Sequence, residues 1–223
     1  MSWINAEITK LSLNCYVTTK ISFANSIAQL CELVEGADAN VVTGAIGHDS
    51  RVGGKYLRPG LGFGGPCFPR DNIAFIKYAG DLGMAATLSR AVVEVNNDQV
   101  ARVVRKVKDA AAPGARVAVL GLSYKPGSHV IEASQPVEII RRLVSDGYRV
   151  RAYDPQVREI PGDGAQAAGA ELTASAESCL DEAECCVIAT AWEEFRRLDR
   201  GELQARIKPN AIIDCWRLLE QPS

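Results

Sequence analysis

One cysteine in a loop rich in glycine and proline is the feature of this sequence most suited to covalent chemistry. Cys67 lies in GFGGPCFPRD (62–71), after Gly62, Gly64 and Gly65, between Pro66 and Pro69, with Asp71 four residues on. Glycine lets a backbone approach a ligand closely, and proline fixes the backbone around the thiol. A thiol on such a loop, with a carboxylate nearby and a lysine able to reach it, is the setting for nucleophilic catalysis. A cation beside a thiol favours the thiolate, the reactive form. The bland alternative is a structural loop around an inert cysteine, and spacing alone leaves both open.

The other cysteines, Cys15, Cys31, Cys179, Cys185, Cys186 and Cys215, form no C-x-x-C pair. Neither a zinc knuckle nor a redox dithiol is supported, and no metal site is expected. They read as small apolar residues in a reducing compartment. Gly60, Gly62 and Gly65 match G-x-G-x-x-G by position. A dinucleotide fingerprint must follow a strand and open a helix. Here Pro59 precedes it and Pro66 and Pro69 follow, so the match is spurious. A better-placed strand and turn, VLGLSYKPGS (119–128), lacks the second and third glycines. No segment is assigned to dinucleotide binding.

The elements that must position these residues follow from periodicity. Residues 6–34 contain no Pro or Gly and read as one long helix. Its apolar residues fall on several faces, which predicts burial on several sides. Lys10 and Asn14 are polar exceptions four apart, hence on one face. A plain surface lysine is the alternative for Lys10. A helix is expected over 38–46, a loop over 48–72, and helices over 72–82 and 86–111, ending at Pro113-Gly114. The loop is long enough to be functional or disordered, and its aromatic and aliphatic content argues for order. From 115 the period changes. RVAVLGLSY (116–124), RVRAYDP (149–155), CCVIATA (185–191) and AIIDC (211–215) read as apolar strands. A helix over 135–146 has Ser134 as its N-cap. Apolar strands alternating with helices predict a covered parallel sheet. The expected fold is α/β: an all-α central dimerisation domain (1–99), a connecting helix (100–112) and a Rossmann-like parallel-sheet domain (113–223).

Composition sets the outer limits. The 223 residues are 47% hydrophobic, with 25 Lys and Arg against 27 Asp and Glu. That suits a sizeable core and predicts neither nucleic-acid nor membrane partners. With no apolar leader at the N-terminus, a cytoplasmic location is expected.

The run GFGGPCFPRD resembles the G-[FY]-G-G-x-C-[FL]-P-[KR]-D signature of the UDP-glucose/GDP-mannose dehydrogenase family. AEITKLSLNCYVTTKISFANSIA (6–28) is similar to that family's central helix, A-E-x-x-K-x-x-x-N followed by K-[IV]-[SA]-F-x-N. GLSYKPGS and YDP (121–155) resemble the start of its C-terminal nucleotide-binding domain. The resemblance implies two oxidations of the C6 alcohol of a nucleotide sugar to a uronic acid, with NAD as acceptor. A cysteine holds the intermediate as thiohemiacetal and then thioester.

By that resemblance Cys67 is the nucleophile, Lys10 stabilises the reacting oxygen, Asn14 stands beside it and Asp71 positions or activates water. Tyr56, Phe63 and Gly64 cradle the substrate, Arg51 reaches the partner subunit's substrate, and Lys125 contacts substrate from the second domain. The resemblance further implies a homodimer through the helix at 6–34. The family's NAD-binding half has no counterpart in this sequence: either the chain is a fragment or truncated paralogue, or NAD is bound by a separate polypeptide. Glu132 stands where many members have an arginine that touches NAD. The loop G-P-C-F-P-R-D resembles the UDP-glucose or GDP-mannose type rather than the N-acetylated amino-sugar type. The competing reading is a nucleotide-sugar-binding or dimerisation module with no chemistry left.

Overall fold

The structure, a computed structural model, describes residues 1–159, 169–207 and 211–219. The chain divides into two units, Met1–Gln99 and Val100–Ser223. The first is helical: α1 (Trp3–Glu32), α2 (Ala39–His48), α3 (Phe68–Asp81) and the first half of α4 (Thr87–Ala110). The division falls inside α4.

Helix α1 packs against α2 and α3, but not by the face that its large apolar residues suggest. Its buried residues are Cys15, Thr18, Ser22, Ala24, Asn25 and Ala28, all small or polar. Ile8, Leu13, Tyr16, Phe23 and Leu30 are exposed. Small side chains let neighbouring backbone come close, and the polar ones bond to it. The expectation of burial on several sides is therefore not met within this chain.

Helix α3 starts at Phe68, four residues before the expected 72. The prolines suggested loop, but Pro69 sits in the first helical turn, where its missing N–H costs nothing. Cys67 is consequently the residue at the helix N-cap rather than a mid-loop residue.

The second unit carries β1 (Arg116–Leu120), α5 (Gln135–Ser145), β2 (Arg149–Tyr153), β3 (Glu171–Leu172) and α6 (Ala176–Leu180). These are followed by β4 (Cys185–Ile188), α7 (Glu193–Arg196), α8 (Arg200–Arg206) and β5 (Ile212–Asp214). The strands form one sheet in the order β3-β2-β1-β4-β5. Every pairing is parallel, with Val119 opposite Ala152 on one side and Val187 on the other. Val117 to Leu120 and Cys185 to Ile188 are fully buried, the pattern of central strands covered on both faces.

The α/β expectation holds, with a helical unit followed by a Rossmann-like sheet. Strand β1 ends at Leu120, earlier than the expected 124, because Gly121 takes φ +101°. A Cβ there would lie 2.4 Å from Thr190 Cβ, so only glycine fits. Ser134 does stand at the N-cap of α5, but its side chain makes no capping bond. Its Oγ donates instead to the Leu122 carbonyl at 2.5 Å. The two-residue strand β3 was too short to show as a pattern.

Candidate active site

Lys10 and Asn14 meet on one atom. Lys10 Nζ and Asn14 Nδ2 both donate to Asp71 Oδ2, each at 2.6 Å. Their spacing of one turn places them side by side on α1, and the early start of α3 puts Asp71 in its first turn. The Asp71 amide donates to the Cys67 carbonyl at 2.8 Å, so the thiol-bearing residue and the carboxylate share one helical turn. Burial of Asp71 would raise its pKa. The bonds from Lys10 and Asn14, with the charges of Lys10 and Arg70, outweigh burial and hold it below the ordinary carboxylate value. The Lys10 side chain stays 60% exposed against 13% for Asp71, so the pair is a surface-side ion pair of modest stability. Lys10 is not the plain surface lysine of the bland reading.

Next along α1 comes a second link to α3. Asn72 is fully buried. Its Nδ2 donates to Thr18 Oγ1 at 3.0 Å and to the Phe68 carbonyl at 2.9 Å. Positions 10, 14 and 18, each one turn apart, thus lock α1 to the two residues that follow one turn after Cys67.

Polar side chains also hold the loop leading to the cysteine. Lys20 Nζ donates to the carbonyls of Val52 and Gly53 at 3.0 and 2.8 Å. Asn25 accepts from the Gly60 amide at 2.9 Å and donates to the Leu61 carbonyl at 3.3 Å. Asn96 accepts from the Phe63 amide at 2.7 Å and donates to its carbonyl at 3.1 Å. Asn25 and Asn96 are buried. Gly65 takes φ +80°, which turns the chain into Pro66 and Cys67. Asn72, Lys20, Asn25 and Asn96 were given no role from sequence. Lys20 and Asn25 do lie within the helix motif quoted above, which was the available signal.

The remaining predicted residues divide. Phe63 and Gly64 are buried in the loop. The rings of Phe63 and Tyr56 both meet Phe68 edge-on at 6.3 Å between centroids, beside Cys67. Tyr56 is 54% exposed and takes φ +62°, a strained conformation for a bulky residue that clusters at functional sites. Arg51 lies at the loop's far end, exposed and paired with Asp49 at 2.7 Å. Lys125 belongs to the second unit, exposed, with Nζ 5.5 Å from the centre of the Tyr124 ring. Glu132 is exposed on the same loop.

Cys67 is the exposed cysteine among the seven. Burial pushes Cys179 and Cys185 up to about 12. It also raises Cys186 well above the ordinary thiol value, and raises Cys15. These thiols are inert near neutrality.

Comparison with known proteins places both units in one family. Residues 4–98 match the model of the UDP-glucose/GDP-mannose dehydrogenase family, central domain. Residues 118–221 match the same family's UDP binding domain. The chain belongs to the UDP-glucose/GDP-mannose dehydrogenase family. Within it, the chain is 35% identical over 216 residues to the UDP-glucose 6-dehydrogenase TuaD of Bacillus subtilis (strain 168), covering 94% of this chain and 46% of that protein. It is 38% identical over 215 residues to the UDP-glucose 6-dehydrogenase AglM of Haloferax volcanii, covering 96% and 49%. The solved UDP-glucose dehydrogenase of the hyperthermophilic archaeon Pyrobaculum islandicum superposes with TM-score 0.85 at 32% identity, covering 97% of this chain and 48% of that one. The chain spans about half the length of the curated relatives it matches. Among the described residues no helix is long and apolar enough to cross a membrane.

Proposed function

We propose that this chain is the catalytic-loop and nucleotide-binding part of a nucleotide-sugar 6-dehydrogenase of the UDP-glucose type. The observation that carries the reading is the convergence of Lys10 and Asn14 on Asp71, one helical turn after the exposed Cys67. In such an enzyme the Cys67 thiolate adds to the C6 aldehyde of the sugar. Its electron pair forms the C–S bond, and the carbonyl π pair moves to oxygen. An ammonium carries three N–H donors. One is engaged by Asp71, and the others can meet the developing oxyanion, with the largest effect where charge appears in the transition state. Asn14 fixes the carboxylate. After oxidation of the adduct to a thioester, a water oxygen adds to the carbonyl carbon. Asp71 Oδ1 takes its proton, and the C–S pair returns to sulfur as the uronic acid leaves.

In this family NAD supplies the two oxidations. The described residues do not fit it: the loop after β1 lacks the fingerprint, and Asp154 already occupies its amides. The residues of this chain act on the thiol adduct, its oxyanion and the attacking water, and the dinucleotide is held outside residues 1–223.

The chain is also proposed to pair with a second copy through α1. Among the described residues, the exposed large apolar ones all fall between Met1 and Leu88. Tyr16, Phe23 and Leu30 recur every seven residues along α1 and line one exposed stripe. Exposed apolar stripes of this kind mark interfaces.

The alternative, a binding or dimerisation module without chemistry, draws on that same stripe. Thermal-shift measurements with UDP-glucose, UDP-glucuronate, GDP-mannose and NAD test the substrate class. A ligand at a hundredfold excess over its Kd adds about 2.7 kcal/mol, a rise of several degrees in Tm. The UDP-sugars are expected to give it and NAD is not. Stabilisation by NAD alone would overturn the reading.

A further inference from the structure

Asp154 is a buried carboxylate, 1% exposed, that the chemistry above does not use. It stands directly after β2, at the carboxyl edge of the sheet. Its Oδ2 accepts from the Leu122 amide at 2.8 Å, and from the Ser123 amide, the Ser123 hydroxyl and Trp192 Nε1 at 3.0 Å each. Its Oδ1 accepts from the amides of Gln156 and Val157 at 2.9 and 3.1 Å.

The position gives these bonds a meaning. In a doubly wound sheet, ligands bind outside the carboxyl ends of the strands where the order reverses. Here that point lies between β1 and β4. In dinucleotide-binding units the amides just after β1 face the pyrophosphate, and an acidic side chain near the end of the next strand faces a ribose. In this chain the acid at the end of β2 turns inward and takes up the amides of the first two residues after Gly121. The β1-to-α5 connection runs from 121 to 134, not the tight turn that aims a helix N-terminus at a phosphate. Its backbone is pinned twice more, by Ser134 Oγ on the Leu122 carbonyl and Thr190 Oγ1 on the Ser123 carbonyl at 2.7 Å.

We infer that Asp154 is a specificity-determining residue: an internal anion that fills the phosphate cradle of the second unit and closes it to dinucleotides. A nucleotide held by this unit then has its diphosphate read by groups other than the β1-turn amides. A carboxylate saturated with donors is held ionised, and the five partners besides the Ser123 hydroxyl include four backbone amides and one indole. The bonds to Leu122, Ser123, Gln156 and Trp192 keep Asp154 below the ordinary carboxylate value despite its burial. This inference concerns the second unit alone and does not depend on the chemistry assigned to Cys67.

The test follows backbone amide resonances of the ¹⁵N-labelled full chain during titration with sodium pyrophosphate and, separately, NAD. The Trp192 indole resonance gives a third reporter. In the wild type the Leu122 and Ser123 amides and the Trp192 indole stay in place. In Asp154→Ser the vacated amides shift with pyrophosphate, with a Kd at least about tenfold tighter than any wild-type response. Asp154→Asn keeps the shape and removes the charge, and its amides respond more weakly than those of the serine variant. Saturable shifts of those amides in the wild type overturn the inference, and that arm stands even where a variant fails to fold. Folded variants whose amides ignore pyrophosphate overturn it too.

Discussion

At the residue scale, reactivity in this chain is a matter of exposure. Six cysteines share the thiol chemistry of Cys67, yet four are buried, and burial raises Cys15, Cys179, Cys185 and Cys186 above the ordinary thiol value. Limiting iodoacetamide near neutral pH should therefore alkylate Cys67 first, and Cys67→Ser should remove that fast phase. Peptide mass mapping that found the fast label on another cysteine would reject the assignment. Cys67, Lys10, Asn14 and Asp71 could be read from sequence because each sits in a motif whose spacing is local. That Lys10 and Asn14 would choose the same carboxylate oxygen was not readable, because their partner lies 61 and 57 residues away. Asp154 escaped for a similar reason: a lone Asp after a strand looks like a ribose ligand until its side chain is seen to face inward.

At the scale of elements, the sequence pattern located the helices and strands but misjudged their use. The apolar residues of α1 fall on several faces, and the sequence does not say which face packs within the chain; that face is Cys15, Thr18, Ser22, Ala24, Asn25 and Ala28. Polar residues on a packing face make sense only once their partners are known: Thr18 meets Asn72 of α3, Ser22 the Val92 carbonyl of α4, and Asn25 the loop backbone at Gly60 and Leu61. Likewise Pro69 was read as loop and belongs to the first turn of α3. Asn96 shows what such a clamp contributes. Asn96→Ala leaves the buried amide and carbonyl of Phe63 without these partners, at about 1–3 kcal/mol for each unsatisfied group. Urea unfolding should show a loss of about 2–6 kcal/mol, and Cys67 alkylation should quicken as the loop loosens. A variant within about 0.5 kcal/mol of the parent, the range of ordinary surface substitutions, would mean that the loop is held by other contacts.

At the scale of the whole molecule, the two units carry different groups. The helical unit carries the thiol, the ion pair and the exposed apolar stripe, while the sheet unit carries Lys125 and the carboxylate that closes the β1 turn. The α/β class was legible because strand runs such as VAVL (117–120) and CCVI (185–188) are apolar throughout, as central parallel strands must be. The apolar stripe predicts an isologous dimer. Tyr16→Glu with Phe23→Glu should give a folded monomer by sedimentation, and a parent chain that is monomeric at micromolar concentration would rule the pairing out. The central claim is that Cys67 captures a sugar aldehyde beside Lys10 and Asp71. Its most direct test needs no oxidant: the chain is mixed with UDP-glucose carrying a ¹³C-labelled aldehyde at C6, and the labelled carbon is followed by NMR. The account predicts a new thiohemiacetal resonance with the wild type, weakened in Lys10→Met and absent in Cys67→Ser. The same resonance in Cys67→Ser, or none with a folded wild-type chain that binds the sugar nucleotide, would contradict it.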